Sequence, residues 1–407
     1  MKIDRGLAVA VLLATAGTAL AGTDADAQRG RGRGNSGTQS LPQVSCPNAQ
    51  PTDAAGTAQG TLNRTILPNL SQADKEAAFN TAIQQAEAGA AAEPTNPHFP
   101  YIAAQAHLGL GHIDAAVAAY RKAGELCPEM LTSTVAELYN QGLVKFSAND
   151  TTGALQLWQS VVELDSTKTD ATFNLGVLYA NRGDQVRSAA AFRRVATAPT
   201  AEGDSAAAER RSIALNAVLS SGAALFGQNK FREAADIFTF VHTNDPNSRD
   251  AWYNHALSLY KLEDWTGLIP VATRLVSIDP LNYNAQIILF NAYKGISEAS
   301  KARGDTATEK RNRDLALRTL EQADALPVQI DGITISNAQI SGTVTGGSVA
   351  TGTPVALEFT LYNGAQVVAT ETVRVTAPAK GENAQFGPVG TAIPDARVTG
   401  WKYRVVR

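Results

Sequence analysis

Little in this 407-residue chain points to chemistry at a catalytic centre. It has two cysteines and five histidines. His107 and His112 are five apart, not the three or four that share one helix face, and no H-E-x-x-H pattern occurs. C-x-x-C, G-x-S-x-G, a phosphate-cradling loop and a dinucleotide fingerprint are absent as well. No catalytic residue, metal ligand or cofactor is therefore expected, and the protein is not expected to be an enzyme. Net charge is scarce: 35 basic against 38 acidic side chains leave −3, too little to draw nucleic acid. The local exception is Arg29, Arg31 and Arg33 alternating with Gly30, Gly32 and Gly34. Such runs can bind polyanions, but this short one reads as a solvated linker. Long apolar runs are missing too. The stretch Leu7 to Leu20 is shorter than the ~20 residues of a spanning helix.

That stretch reads instead as part of a secretory signal over residues 1–21. Lys2 and Arg5 supply a basic start, and Ala19-Leu20-Ala21 fits the small-x-small cleavage rule. A second cut follows Ala25-Asp26-Ala27, and an uncleaved anchor is the alternative. The expected location is periplasmic or extracellular, with no transmembrane segment in the mature chain. Residues 22–62, rich in Gly, Ser, Thr, Gln, Pro and Ala, read as a disordered linker. Cys46 lies in this tail and Cys127 in the region that follows. In an oxidising compartment they could be bridged or could remain two separate thiols, and spacing alone does not decide.

What is present is repetition. Asp245-Pro246 and Asp279-Pro280 close two successive units whose prolines are 34 residues apart. Pro94 and Pro128 show the same spacing. Each proline ends a helix because it lacks an N–H and clashes with the preceding turn. Gly222 and Ala234 are small residues placed where two helices of one unit cross, with Phe231 and Phe238 filling the space between them. Trp252, Ala256, Trp265 and Leu275 take corresponding places in the next unit. Asp250 and Asn282 are candidate N-caps. Ser71 is a third, opening a helical pattern that Pro94 and Pro97 stop. Other units read at about 135–168, where Ser166 replaces the closing proline, and at about 169–202, around NLGVLYANRGD. An inserted segment follows at about 201–214. A long final hairpin spans Tyr283 to Arg303 and Arg311 to Ala325.

Five units agreeing in phase resemble the tetratricopeptide repeat family. The likeness covers about residues 63–326, with departures at Ser166, His255 and Leu268. It implies a mainly α fold, a right-handed α-solenoid of helical hairpins whose first helices line a groove that binds a protein or peptide. The groove-facing fifth positions would be Tyr101, Tyr139, Phe173, Leu219 and Tyr253. The twelfth would be Leu108, Phe146, Ala180, Phe226 and Tyr260, with Leu257 at a ninth. The Lys and Asn pattern of a carboxylate clamp is missing. The same aromatics could equally pack between repeats, as stripes at helical spacing often do.

After Pro327 the composition turns to Val, Ile, Thr and Gly, and residues 327–407 read as a small all-β sandwich of about seven strands. Asn363-Gly364 between alternating runs signals a hairpin. Phe359, Leu361, Val367 and Ala369 are expected on its buried face. Phe359-Thr360-Leu361-Tyr362-Asn363 resembles the F-x-L-Y-D signature of the bacterial FxLYD domain, with Asn363 in place of Asp. That resemblance implies an extracytoplasmic accessory domain. The function expected overall is an exported, non-catalytic scaffold for a protein or peptide of the cell envelope. The alternative is an envelope module binding polysaccharide or peptidoglycan through the β-domain.

Overall fold

A computed structural model describes Cys46 and residues 49–199, 204–393 and 397–406. The expected signal and the Arg-Gly run lie outside the described residues. Within them, fourteen α-helices precede six β-strands. The helices are α1 (Asp53–Asn63), α2 (Gln72–Ala92), α3 (His98–Gly109), α4 (Ile113–Leu126), α5 (Pro128–Ser147), α6 (Thr151–Leu164) and α7 (Thr169–Asn181). Then come α8 (Gln185–Thr197), α9 (Ser205–Gly227), α10 (Phe231–Asn244), α11 (Arg249–Lys261), α12 (Trp265–Ile278), α13 (Tyr283–Ala302) and α14 (Thr306–Asp324). The strands are β1 (Val328–Ser336), β2 (Gln339–Gly346), β3 (Pro354–Asn363), β4 (Gln366–Thr376), β5 (Asn383–Val389) and β6 (Gly400–Val406). The mainly helical, tetratricopeptide-like solenoid class with a small β part is thus what the chain adopts. Among the described residues, no helix is long and apolar enough to cross a membrane.

One compact unit ends at Leu178 and a second begins at Tyr179. In the first, the linker expected to reach residue 62 gives way to α1. Thr52 caps it by accepting from the Ala55 N–H at 3.4 Å, and Ala55, Ala58 and Leu62 are buried against α2 and α3. Gly56 and Gly60 make the segment look like a linker, but both face open space, so they do not interrupt that stripe. Ser71 caps α2 as expected, accepting from the Asp74 N–H at 3.1 Å. Cys46 and Cys127 form a disulfide, with Cα atoms 6.1 Å apart, which ties the chain ahead of α1 to the junction of α4 and α5.

In the second unit each helix packs on the next, and α9, α11 and α13 also touch as alternate helices. The second helix of most hairpins starts on an aspartate whose side chain caps the first turn: Asp184, Asp264 and Asp305 accept from Arg187, Gly267 and Thr308 N–H at 3.0 Å. Arg182-Gly183-Asp184 is therefore a turn, with Gly183 at φ +76°. Asn282 caps α13 as expected, but Asp250 does not cap α11, which starts one residue earlier at Arg249. The inserted segment from Ser205 is an N-terminal extension of α9. A Cβ on Gly222 would lie 2.7 Å from Phe238 and 2.8 Å from Ile237, so its close approach is to the turn of α10 after Ala234.

The β part has six strands where about seven were expected, in two three-stranded antiparallel sheets ordered β1-β2-β5 and β4-β3-β6. Ile330 and Val344 from one sheet and Leu357, Phe359 and Leu361 from the other share one core. Asn363-Gly364 makes the β3–β4 hairpin, Asn363 pairing with Gln366. The register slips between Leu361 and Tyr362, so Val367 turns outward and is 58% exposed, against expectation. That core also contains Leu281 and Leu326 from the helical segments. The change of composition at Pro327 therefore does not coincide with a break in packing.

Candidate functional site

The expected groove residues fall into two classes. Tyr101, Phe173 and Leu257 are buried, whereas Leu108, Tyr139, Phe146, Leu219, Phe226, Tyr253 and Tyr260 are half-buried. Most of the rings rest on a partner of their own hairpin. In the first unit Tyr139 and Phe146 lie 6.4 and 5.8 Å from the Trp158 ring, whose Nε1–H donates to the Tyr139 carbonyl. Tyr101 meets Tyr120 edge-on at 5.5 Å. In the second unit Phe226 meets Phe231 at 5.1 Å and Tyr260 meets Trp265 at 5.6 Å. In these two pairs a ring late on the first helix packs on the ring that opens the second. One side of the half-buried rings of Tyr139, Phe146, Phe226 and Tyr260 thus builds the hairpin, and the remainder stays accessible. Among the described residues of the second unit, Leu219 and Phe226 on α9, and Tyr253 and Tyr260 on α11, stand on first helices that touch.

Polar groups missed by sequence reasoning join the β part to the repeats. The Tyr403 hydroxyl on β6 donates to Asp279 Oδ1 at 2.8 Å and accepts from the Leu281 N–H at 3.0 Å. Asp279 Oδ2 accepts from Arg249 Nε and Nη2, both at 3.0 Å. The Arg249 guanidinium stands over the Tyr253 ring at 4.5 Å and the Trp401 ring at 5.9 Å. Burial holds the Asp279 carboxyl above its usual range despite the arginine, and burial together with Asp279 lifts the Tyr403 phenol. The other Asp-Pro is engaged too: buried Asp245 accepts from the Thr399 side chain, and the Trp401 N–H donates to the Asn247 carbonyl at 3.0 Å. Both aspartates looked like helix stops only. The signal available was a carboxylate placed directly before each helix-ending proline.

Two further groups were also missed. His242 Nε2 and His255 Nδ1 lie 3.0 Å apart, His242 stacks on Trp252 at 3.7 Å, and Thr239 Oγ1 is 3.3 Å from His255 Nε2. Burial lowers both imidazoles to about 4, with the neighbouring His255 adding to the effect on His242. In the first unit Glu137 accepts from the Tyr120 hydroxyl at 3.0 Å, and burial holds its carboxyl above the usual range.

The profile of the family described as Tetratricopeptide repeat matches residues 139–208 and 219–282, so these stretches carry that repeat. Among solved structures, "Crystal structure of MamA protein" is 18% identical, covers 47% of this chain and 91% of its own, and has a TM-score of 0.29. "Crystal structure of YrrB: a TPR protein with an unusual peptide-binding site" is also 18% identical, covers 47% and 90%, and scores 0.28. Curated protein sequences gave no match.

Proposed function

We propose that this protein is an exported, non-catalytic scaffold that binds a protein or peptide of the cell envelope along its first helices. The observation that carries this reading is the set of half-buried apolar side chains Leu219, Phe226, Tyr253 and Tyr260 on touching helices. Rings anchored on one side and open on the other are suited to take apolar side chains of an extended peptide or a partner helix. Tetratricopeptide repeats at 139–208 and 219–282 fit that use. Export rests on the basic start, the apolar run and Ala19-Leu20-Ala21, and the Cys46–Cys127 disulfide suits an oxidising compartment. The β part, with its FxLYD-like segment at Phe359 to Asn363, serves as an accessory domain.

Sugar binding through the β part is less well supported. Tyr362 is buried, and Trp401 is half-buried against Arg249, Phe359 and Tyr403. Neither offers the flat open ring on which a sugar stacks.

Tyr253→Ala with Tyr260→Ala tests the binding face. Aromatic anchors concentrate binding energy, so loss of a captured partner by ~2 kcal/mol or more per ring is expected, with little change in melting temperature. A fall equivalent to the ~3–5 kcal/mol of a buried large aromatic at each site would mean that the rings are core. Amino-terminal sequencing of the mature protein should begin at Gly22 or Gln28; an intact Met1 in cytosol would rule out export.

A further inference from the structure

Where α10 meets α11 in the second unit, two histidines and a threonine form one directional chain of hydrogen bonds. Thr239 has a single hydroxyl proton, and it goes to the Ala235 carbonyl at 2.8 Å. At 3.3 Å from His255 Nε2 the same oxygen therefore accepts, and His255 Nε2–H donates. A neutral imidazole with its proton on Nε2 has only Nδ1 left as an acceptor. His242 Nε2 lies 3.0 Å from that atom, so His242 Nε2–H donates to His255 Nδ1.

This chain fastens the end of α10 to α11. His242 is 9% exposed and stacks on the Trp252 ring at 3.7 Å, and Trp252 Nε1–H donates to the Pro246 carbonyl at 3.0 Å. The same stack thus also holds the connection between the two helices. Thr239 is exposed, so the far end of the chain reaches solvent, from which a proton can arrive. His255 is itself one of the departures from the repeat pattern.

The two rings do not respond alike to acid. A proton added at His242 Nδ1 leaves the bond between them in place. A proton added at His255 Nδ1 removes its acceptor, and two N–H groups then face each other at 3.0 Å. Burial opposes charge on both rings. Among the described residues, Asp264, which caps α12, acts on His255 and favours its proton, and His242 responds to His255; α9, α13 and β6 bring no charge to bear on either ring.

We propose that His255 is the trigger of an acid-operated latch: its second proton breaks the bond from His242 and loosens the α10–α11 junction while the rest of the array stays folded. Histidine suits this use because its charge changes under mild acid. Helix α11 carries Tyr253 and Tyr260, so the latch also governs the face assigned above to a peptide. That consequence rests on the peptide-binding reading, whereas the latch does not.

The test needs no ligand. Imidazole nitrogen shifts of the full-length protein, labelled at histidine, read the tautomers at neutral pH. A proton on His255 Nε2 and a bare Nδ1 are expected; a proton on Nδ1 overturns the relay. Hydrogen exchange, corrected for the intrinsic pH dependence of amides, is then compared at about pH 7 and about pH 5. Protection at the end of α10 and the start of α11 should fall about tenfold, for a ring moved from about 4 to 6.5 on opening and with allowance for solvent, while α13 keeps its protection. His255→Asn keeps an acceptor for His242 but takes no proton, so its junction should stay protected in acid. His242→Phe keeps a ring on Trp252 but has no bond to lose, so its junction should be loose at neutral pH already and respond less to acid. Melting curves check that both variants fold, and the wild-type shifts and exchange decide even where one does not. Wild-type protection that is unchanged, or that falls evenly from α9 to α13, would overturn the latch, as would a full acid response in His255→Asn. Either failure leaves the peptide-binding reading standing, because none of these measurements involves a peptide.

Discussion

Tyr403→Phe removes one oxygen and isolates what joins the β part to the repeats. The lost hydroxyl makes two buried bonds, one donated to Asp279 at 2.8 Å and one accepted from the Leu281 N–H at 3.0 Å. A hydrogen bond to a charged group contributes about 1.5–3 kcal/mol, and a buried amide left unpaired costs about 1–3 kcal/mol. With partial relaxation, a loss of about 3 kcal/mol is expected. The ring itself stays, packed 4.8 Å from Phe359, so the change is not a cavity. Urea unfolding gives the loss, and hydrogen exchange at Leu281 and at Ile330, whose N–H donates to the Leu281 carbonyl at 3.0 Å, gives its location. Asp279→Asn in the same background should add less than its effect alone, because both changes break one network. A loss under about 1 kcal/mol, within the range of an ordinary surface substitution, with exchange unchanged, would refute the reasoning.

Stability should also fall on mild acidification. His242 and His255 have folded values of about 4 against about 6.5 when unfolded, so below pH 6.5 the unfolded chain binds more protons. The loss grows from pH 6.5 down to about 4, at about 2–3 kcal/mol for the pair after allowance for solvent screening; His255→Leu should flatten a profile of urea midpoints, and an unchanged profile would show that the imidazoles are not buried neutral. Reducing Cys46–Cys127, which spans 81 residues, should destabilise the first unit by up to about 4 kcal/mol, read as a drop in melting temperature with dithiothreitol. Residues 327–407 alone should melt without cooperativity, because Leu281 and Leu326 are missing from their core; a sharp melt would mean that the sheets need no helices.

The sequence declares the hairpins because their signals are local. Pro246 and Pro280 break helices by their own geometry, Ser71 and Asn282 cap by reaching three residues ahead, and Asn363-Gly364 turns a hairpin unaided. Helix α1 was hidden because its stripe is mostly alanine, too weakly apolar to stand out from a linker composition. The outward turn of Val367 depends on a one-residue slip that pairing reveals and alternation does not. Among the expected groove residues, periodicity identified helix faces but could not separate Tyr101, which is buried, from Tyr253, which is half-buried. That difference depends on what a neighbouring helix places opposite. The bond from Tyr403 to Asp279 joins residues 124 apart, and no periodicity carries that information.

The engagement of both Asp-Pro aspartates has a mechanical consequence. An array of stacked hairpins resembles a spring, because each hairpin touches only its neighbours and small rotations between them add up. Here Thr399 and Tyr403, on one short stretch of chain, hold Asp245 and Asp279, which lie one repeat apart. That stretch acts as a splint across two successive coils. Stretching or twisting the array between α10 and α12 would have to break buried bonds rather than bend a loop. The same splint sets a gauge: a repeat duplicated between the two aspartates would carry them out of its reach.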